Sequence, residues 1–464
     1  MAGWATDLDL LLEERRQRID EGCVVPADLS ARIDALDRHG DRWNSEQIDV
    51  LYDELLALPV DPELAAREPN DLDAIRALRP GDPIDELPWA LSEAELLDSL
   101  HGAWTGRCCG CAAGKPVEFM GMRIEDGVLA GRKAIKAYLQ GADAWPLEGY
   151  IPERSGDEQV PCRASTRENI AYMEPDDDIH YSLVGLAVLE DHGPDFRWKH
   201  VAFVWTTRIP FGAICTAETQ AILNFWNHSA RFFQKDMIDI DPEATRMHRN
   251  PYREWIGAQI RTDGWAWACA GKPGLAAEFA HRDAHWTHTR NGIYGAMFCS
   301  AMQAAAFVEH DPRRLVEIGL SQIPGECRLA LAVRECLGWI DQCNDWESCM
   351  ERLEARYSEM SPVHTINNAL ICVISLVYGR MDTRLSTTIS VMAGLDTDCN
   401  GATVGSIVGA ASGRTRFNAE FAAPLNDRVR PSMIGFSDTT MRELAERHLA
   451  VWKRVDAYAS ERAD

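Results

Sequence analysis

Two short acidic segments, far apart in the chain, hold the residues best suited to chemistry. The first is Glu174-Pro175-Asp176-Asp177-Asp178-Ile179-His180-Tyr181. Tyr181, Val184, Ala187 and Val188 follow at helical spacing, so the three aspartates open a helix. Capping and the helix dipole favour one or two carboxylates at such a start. Three in a row crowd like charges. The second segment, Gly394-Leu395-Asp396-Thr397-Asp398-Cys399-Asn400, again sets two carboxylates at a helix start. Oxygen-rich clusters of this kind suit hard cations, Mg²⁺ foremost with Mn²⁺ or Ca²⁺ as alternatives, rather than zinc. Together the two segments predict one shared site for two divalent ions bridged by carboxylates.

Each segment borders a glycine ladder. Gly102, Gly106, Gly110 and Gly114 fall at steps of four, and Gly401, Gly405, Gly409 and Gly413 repeat the step. Residues four apart stack on one helix face. Glycine costs about 1 kcal/mol relative to alanine at each interior helical position, so two such stripes predict another backbone at very close range. Three weaker constellations stand beside them. His281, His285 and His288, with Asp283 among them, have a spacing that could face zinc. Cys108-Cys109-Gly110-Cys111 contains a CxxC, but no second pair lies at zinc-finger spacing, and small residues on a packed helix explain it. Trp265 and Trp267 could stack a flat ring or pack a core.

Helical periodicity dominates from about residue 93 onward, and alternating strand patterns are scarce, which predicts an all-α compact multi-helix domain over residues 93–464. Residues 1–92 read as an acidic helical N-terminal extension for packing or oligomerisation. Its apolar residues recur at helical spacing, as in Leu8, Leu11 and Leu12, Ile33 and Leu36, and Ile48, Leu51, Leu55 and Leu56. A proline-rich stretch over residues 58–88 reads as a wrapped linker. The chain has 464 residues, 47 basic and 72 acidic, for a net charge of −25. That balance disfavours a nucleic-acid partner, whose backbone is gripped by Lys and Arg. No apolar run approaches the roughly 18 residues of a membrane span, so no membrane partner is expected. The first residues lack the basic and apolar regions of a secretion signal. Fourteen cysteines without a short secreted framework suit reduced thiols in the cytoplasm.

The ordered motifs resemble the ADP-ribosylglycohydrolase family, of the dinitrogenase-reductase-activating and ADP-ribosylhydrolase type. The resemblance runs from about Leu96 to Gly413. Gly102-Ala-x-x-Gly-x-x-x-Gly with Gly114-Lys-Pro-Val-Glu118 is similar to the opening helix and its acidic end. The aspartate triplet resembles Thr-Asp-Asp, with Asp176 in place of the threonine. Asp396-Thr-Asp398-Cys399-Asn400 resembles Asp-x-Asp-Thr-Asn, with Cys399 replacing the second threonine. The segments Pro273 to Asp283 and Thr287 to Ala296 match the family's centre. The resemblance implies metal ligands at Asp176, Asp177, Asp178, Asp396, Asp398 and Cys399. It implies catalytic roles for Glu118 and Asp178, and a pocket residue at His288, with Asn291 and Tyr294 as weaker pocket candidates.

The implied activity is metal-dependent hydrolysis of an N- or O-glycosidic bond to ribose, removing ADP-ribose from a modified side chain. A free ribosylated small molecule or nucleotide is a second substrate class, and a non-catalytic ADP-ribose binder a third reading. The Asp-x-Asp of the second segment also resembles the nucleophile loop of haloacid-dehalogenase phosphatases. Too little chain follows it, without a βαβ rhythm, for that fold.

Overall fold

A computed structural model describes residues 5–228 and 240–463. The architecture is all-α, and among the described residues the strands are three antiparallel pairs of two residues each. At the centre lie the helices Glu93–Gly114 and Thr397–Arg416, which carry the two glycine ladders. The first opens with a capping box, in which Ser92 Oγ accepts the Glu95 N–H and Glu95 accepts the Ser92 N–H.

The ladders face each other antiparallel. A Cβ on Gly106 would lie 1.9 Å from the Gly405 carbonyl oxygen, and one on Gly405 would lie 2.1 Å from that of Gly106. Gly110 meets Gly401, Gly102 meets Gly409, and Gly114 meets Thr397 in the same way. No side chain fits between these backbones, which is why glycine recurs despite its helix propensity. The zipper is pinned at both ends. Thr397 Oγ1 donates to the Gly114 carbonyl at 2.8 Å, and Asp98 accepts from the Thr415 N–H at 3.1 Å and its hydroxyl at 2.7 Å. The pairing carries the end of one helix, with Lys115 and Glu118 beyond it, to the start of the other, where Asp396 and Asp398 sit.

The helix Asp177–His192 brings the aspartate triplet to the same place. Gly185 abuts Gly264 of the short helix Asp263–Ala268, where a Cβ would come within 2.9 Å of the Gly264 Cα. Trp265 and Trp267 are core residues. Trp265 stacks on Phe196 at 4.6 Å, and Trp267 packs edge-on against Trp104 at 4.9 Å. The CxxC cysteines are buried along the first ladder helix, and all fourteen cysteines are free thiols. Among the described residues no helix is long and apolar enough to cross a membrane.

The N-terminal segment forms three helices, Asp7–Asp20, Ala27–Asp34 and Ser45–Leu56, around a small core of their own. That core also takes in Ala217 and Tyr252. Buried ion pairs add to the attachment: Arg253 reaches Glu14 and Glu21, each at 2.8 Å. Residues 58–88 are less irregular than a linker, since they carry the short helices Pro62–Arg67 and Leu72–Ala77.

Candidate active site

The aspartate triplet is built from its cap. Asp176 adopts extended backbone angles, and its Oδ1 accepts the Asp178 N–H at 3.0 Å as the N-cap of the following helix. Its Oδ2 lies 2.9 Å from Lys115 Nζ, and the same ammonium donates to the Pro175 carbonyl at 2.6 Å. Lys115 directly follows the first ladder, so the zipper sets where this positive charge falls. Asp178 is fully buried, with Oδ1 at 2.7 Å from Arg107 Nη2. Arg107 also faces Asp263 at 3.0 Å. Neither cation stood out by sequence pattern. The signal was there in Arg107, a charge in the middle of a stripe of small residues.

Both acidic corners converge. One oxygen each of Asp178 and Asp398 and the Cys399 sulfur lie mutually within 4.8 Å, as do ligand atoms of Glu118, Asp396 and Asp398. A third such group joins Cys111, Asp176 and Asp178, so a CxxC thiol borders the cluster after all. Asp178 Oδ2, Asp396 Oδ1 and Asp398 Oδ1 are buried with no hydrogen-bond partner. A buried carboxylate oxygen without a donor is costly. Three together fit a divalent cation, and the oxygen-dominated donor set suits a hard one.

Electrostatics agree with the crowding. Burial, then the charges of Asp398 and Asp177, push Glu118 up to about 10. Burial and the neighbouring Asp176 and Asp398 push Asp177 up to about 8, and burial with Asp176 raises Asp398 to about 6. Asp178 and Asp396 rise well above the usual carboxylate range, chiefly through burial. Asp176 alone of the five aspartates goes down: burial opposes its charge, but Lys115 and its hydrogen bonds outweigh that. Burial lifts the Cys399 thiol well above its normal range.

The cluster opens into a cleft of about 530 Å³. Glu118, Asp177, Asp396, Asp398 and Cys399 line it, and Phe119, Met122, Ile124, Tyr181, Trp255 and Val363 supply apolar wall. Tyr181 is held by its hydroxyl, which accepts the Cys215 N–H at 3.0 Å. Glu218, at the start of the helix Thr216–His228, also lines the cleft and is backed by Arg261.

The central histidine segment stands apart from this cleft. His288 is buried behind Glu218, with Nδ1 3.8 Å from Glu218 Oε1 and 2.7 Å from Thr287 Oγ1. Asn291 spends its amide on Glu68, at 2.9 Å, and its oxygen on the Leu329 N–H. Tyr294 donates to the Pro69 carbonyl. Asn291 and Tyr294 brace the packing of residues 68–69, His288 sits against Thr287 and Glu218, and none of the three lines the cleft. His281 bonds Asn70 O at 2.9 Å and stacks on His285, and neither joins a cation-competent group among the described residues.

A search of curated proteins finds no matching relative. One solved structure found by comparison is described as an ADP-ribosylglycohydrolase-related protein complex. It is 16% identical, with a TM-score of 0.44, over 77% of this chain and 99% of the other. A sequence model of the family described as ADP-ribosylglycohydrolase matches residues 92–458. That span contains both ladders and both acidic corners, and the chain belongs to the ADP-ribosylglycohydrolase family.

Proposed function

We propose that the cleft hydrolyses the bond between ribose C1 and a side-chain nitrogen or oxygen, releasing ADP-ribose from a modified protein. The observation that carries this reading is that Asp178, Asp396 and Asp398, each with a buried unpartnered oxygen, fall in two overlapping cation-competent groups that share Asp398, and that Asp396 and Asp398 line the cleft. With Asp176 and Asp177 they would hold two divalent cations, Mg²⁺ foremost. Such ions supply Lewis acidity toward sugar hydroxyls and lower the pKa of a bound water.

The chain's own residues do the rest. Glu118 stands at the cleft, in reach of Asp396 and Asp398. A carboxyl placed there can hand a proton to the departing atom as the glycosidic bond breaks and later take one from water. Asp178 is held by Arg107, and Asp176 by Lys115, so the acidic corner keeps its shape as charge moves within it. Phe119, Tyr181 and Trp255 offer apolar surface on which the substrate can lie away from bulk water.

The test is product identification on a panel of ADP-ribosylated proteins and small ribosylated compounds, with Mg²⁺, with Mn²⁺ and with chelator. Cation-dependent release of ADP-ribose from protein supports the reading, and binding without any hydrolysis overturns it. A free ribosylated nucleotide as substrate is the second reading, favoured by the extra wall that Glu13 and Arg16 add beside the cleft. Turnover of the small compounds alone would select it.

A further inference from the structure

The cleft is not built from the family-matched segment alone. Glu13 and Arg16, both on the helix Asp7–Asp20, line it together with Glu118 and Asp398. The helix is fixed there by the small core around Leu8, Leu11 and Ile48 and by the buried Glu14–Arg253 pair. That core includes Ala217 and packs on Trp255, so it also buttresses two stretches of wall, residues 215–218 and 255–257. Arg16 is the one basic side chain among the described residues that line the cleft, where every other charged group is a carboxylate. Its side chain is 65% exposed. Glu13 holds it through one N–H, Nη1 to Oε1 at 2.8 Å. A guanidinium has five N–H donors in a planar fork that matches phosphate oxygens, so four remain to offer.

We propose that Arg16, from outside the family-matched segment, binds the phosphate portion of the substrate and selects phosphorylated ribosides over neutral ones. This rests on the ribosyl-hydrolase reading above. The role is specificity, remote from the bond that breaks, so Arg16 acts on substrate affinity and not on the chemical step.

The test uses the full-length Mg²⁺-loaded protein and two probes, ADP-ribose and unphosphorylated adenosine, titrated by calorimetry. Arg16→Ala weakens ADP-ribose binding about tenfold, the loss of one charge-assisted contact, and leaves adenosine binding unchanged. In turnover, KM for a phosphorylated substrate rises and kcat holds. Arg15→Ala is the control for general loss of charge, since Arg15 pairs with Asp34 and does not line the cleft. It leaves both probes unaffected. The inference is overturned if Arg16→Ala binds ADP-ribose like wild type, if both arginine variants weaken it equally, or if adenosine binding falls in parallel. A wild-type protein that binds no ADP-ribose in the presence of cation overturns the underlying reading instead, and this one with it.

Discussion

Two residues set the chemistry of the acidic cluster apart from an array of equivalent carboxylates. Asp396 presents a buried oxygen with no donor, in reach of Glu118 and Asp398. An Asp396→Asn variant keeps the shape but replaces half of that anionic acceptor with a donor. Cation-dependent turnover should fall more than about 100-fold, beyond the cost of losing a residue that merely supports a ligand, while the melting temperature of the chelated protein holds or rises. Unchanged turnover would remove the site from the mechanism. Cys399 is the second. Its thiol is kept protonated by burial and is a poor partner for a hard ion, yet it lies within ligand distance of Asp178 and Asp398. Cys399→Thr puts a hydroxyl there. Mg²⁺ affinity, measured by calorimetry, should improve about tenfold, the value of one added contact to a charged group. No gain would mean that the sulfur faces the cluster without contributing to it.

The glycine zipper decides where every one of those residues falls, and the same substitution at two glycines exposes it. In Gly106→Ala the new methyl would lie 1.9 Å from the Gly405 carbonyl, so the helices must separate. We expect a loss of about 3 kcal/mol by thermal or denaturant unfolding, at the upper end of overpacking costs. Activity should fall as well, because Gly114 and Thr397 move apart at the site end. Gly338, on the helix Arg328–Ile340, has nothing within 4 Å of a Cβ. Gly338→Ala should stabilise by about 0.5–1 kcal/mol through helix propensity alone. The contrast also explains what could be read from sequence. The ladders and the two acidic helix starts were legible because helical spacing is local and glycine has few reasons to recur at steps of four. Their antiparallel register was not, since it depends on a contact across some three hundred residues. Arg107 is a charge inside a stripe of small residues and Lys115 follows the ladder, but which carboxylates they neutralise, Asp178 and Asp176, is set by the tertiary fold. The positions of Asn291 and Tyr294 depend on the fold in the same way: their partners, Glu68 and Pro69, lie in the extension.

At the scale of the molecule, the acidic cluster links folding stability to cation and pH. Glu118 and Asp177 are raised to about 10 and about 8, against ordinary values of 4.5 and 3.8. Between pH 7 and 9 the unfolded chain has already lost both protons, while the cation-free folded chain still holds much of them. The folded state therefore binds more protons than the unfolded state, and stability must fall as pH rises. Burial of His281, lowered to about 4, and of His448, lowered to about 3, acts in the opposite sense, but below about pH 6.5 and so outside this window. A bound divalent ion replaces those protons and stabilises the ionised cluster, so its own stabilising effect grows with pH. The chelated protein should lose about 1–3 kcal/mol of stability from pH 7 to pH 9, seen as a falling melting temperature, and the Mg²⁺-saturated protein much less. Two parallel curves would mean that these carboxylates are neutralised by Lys115 and Arg107 alone, and that the cluster needs no ion to stay folded.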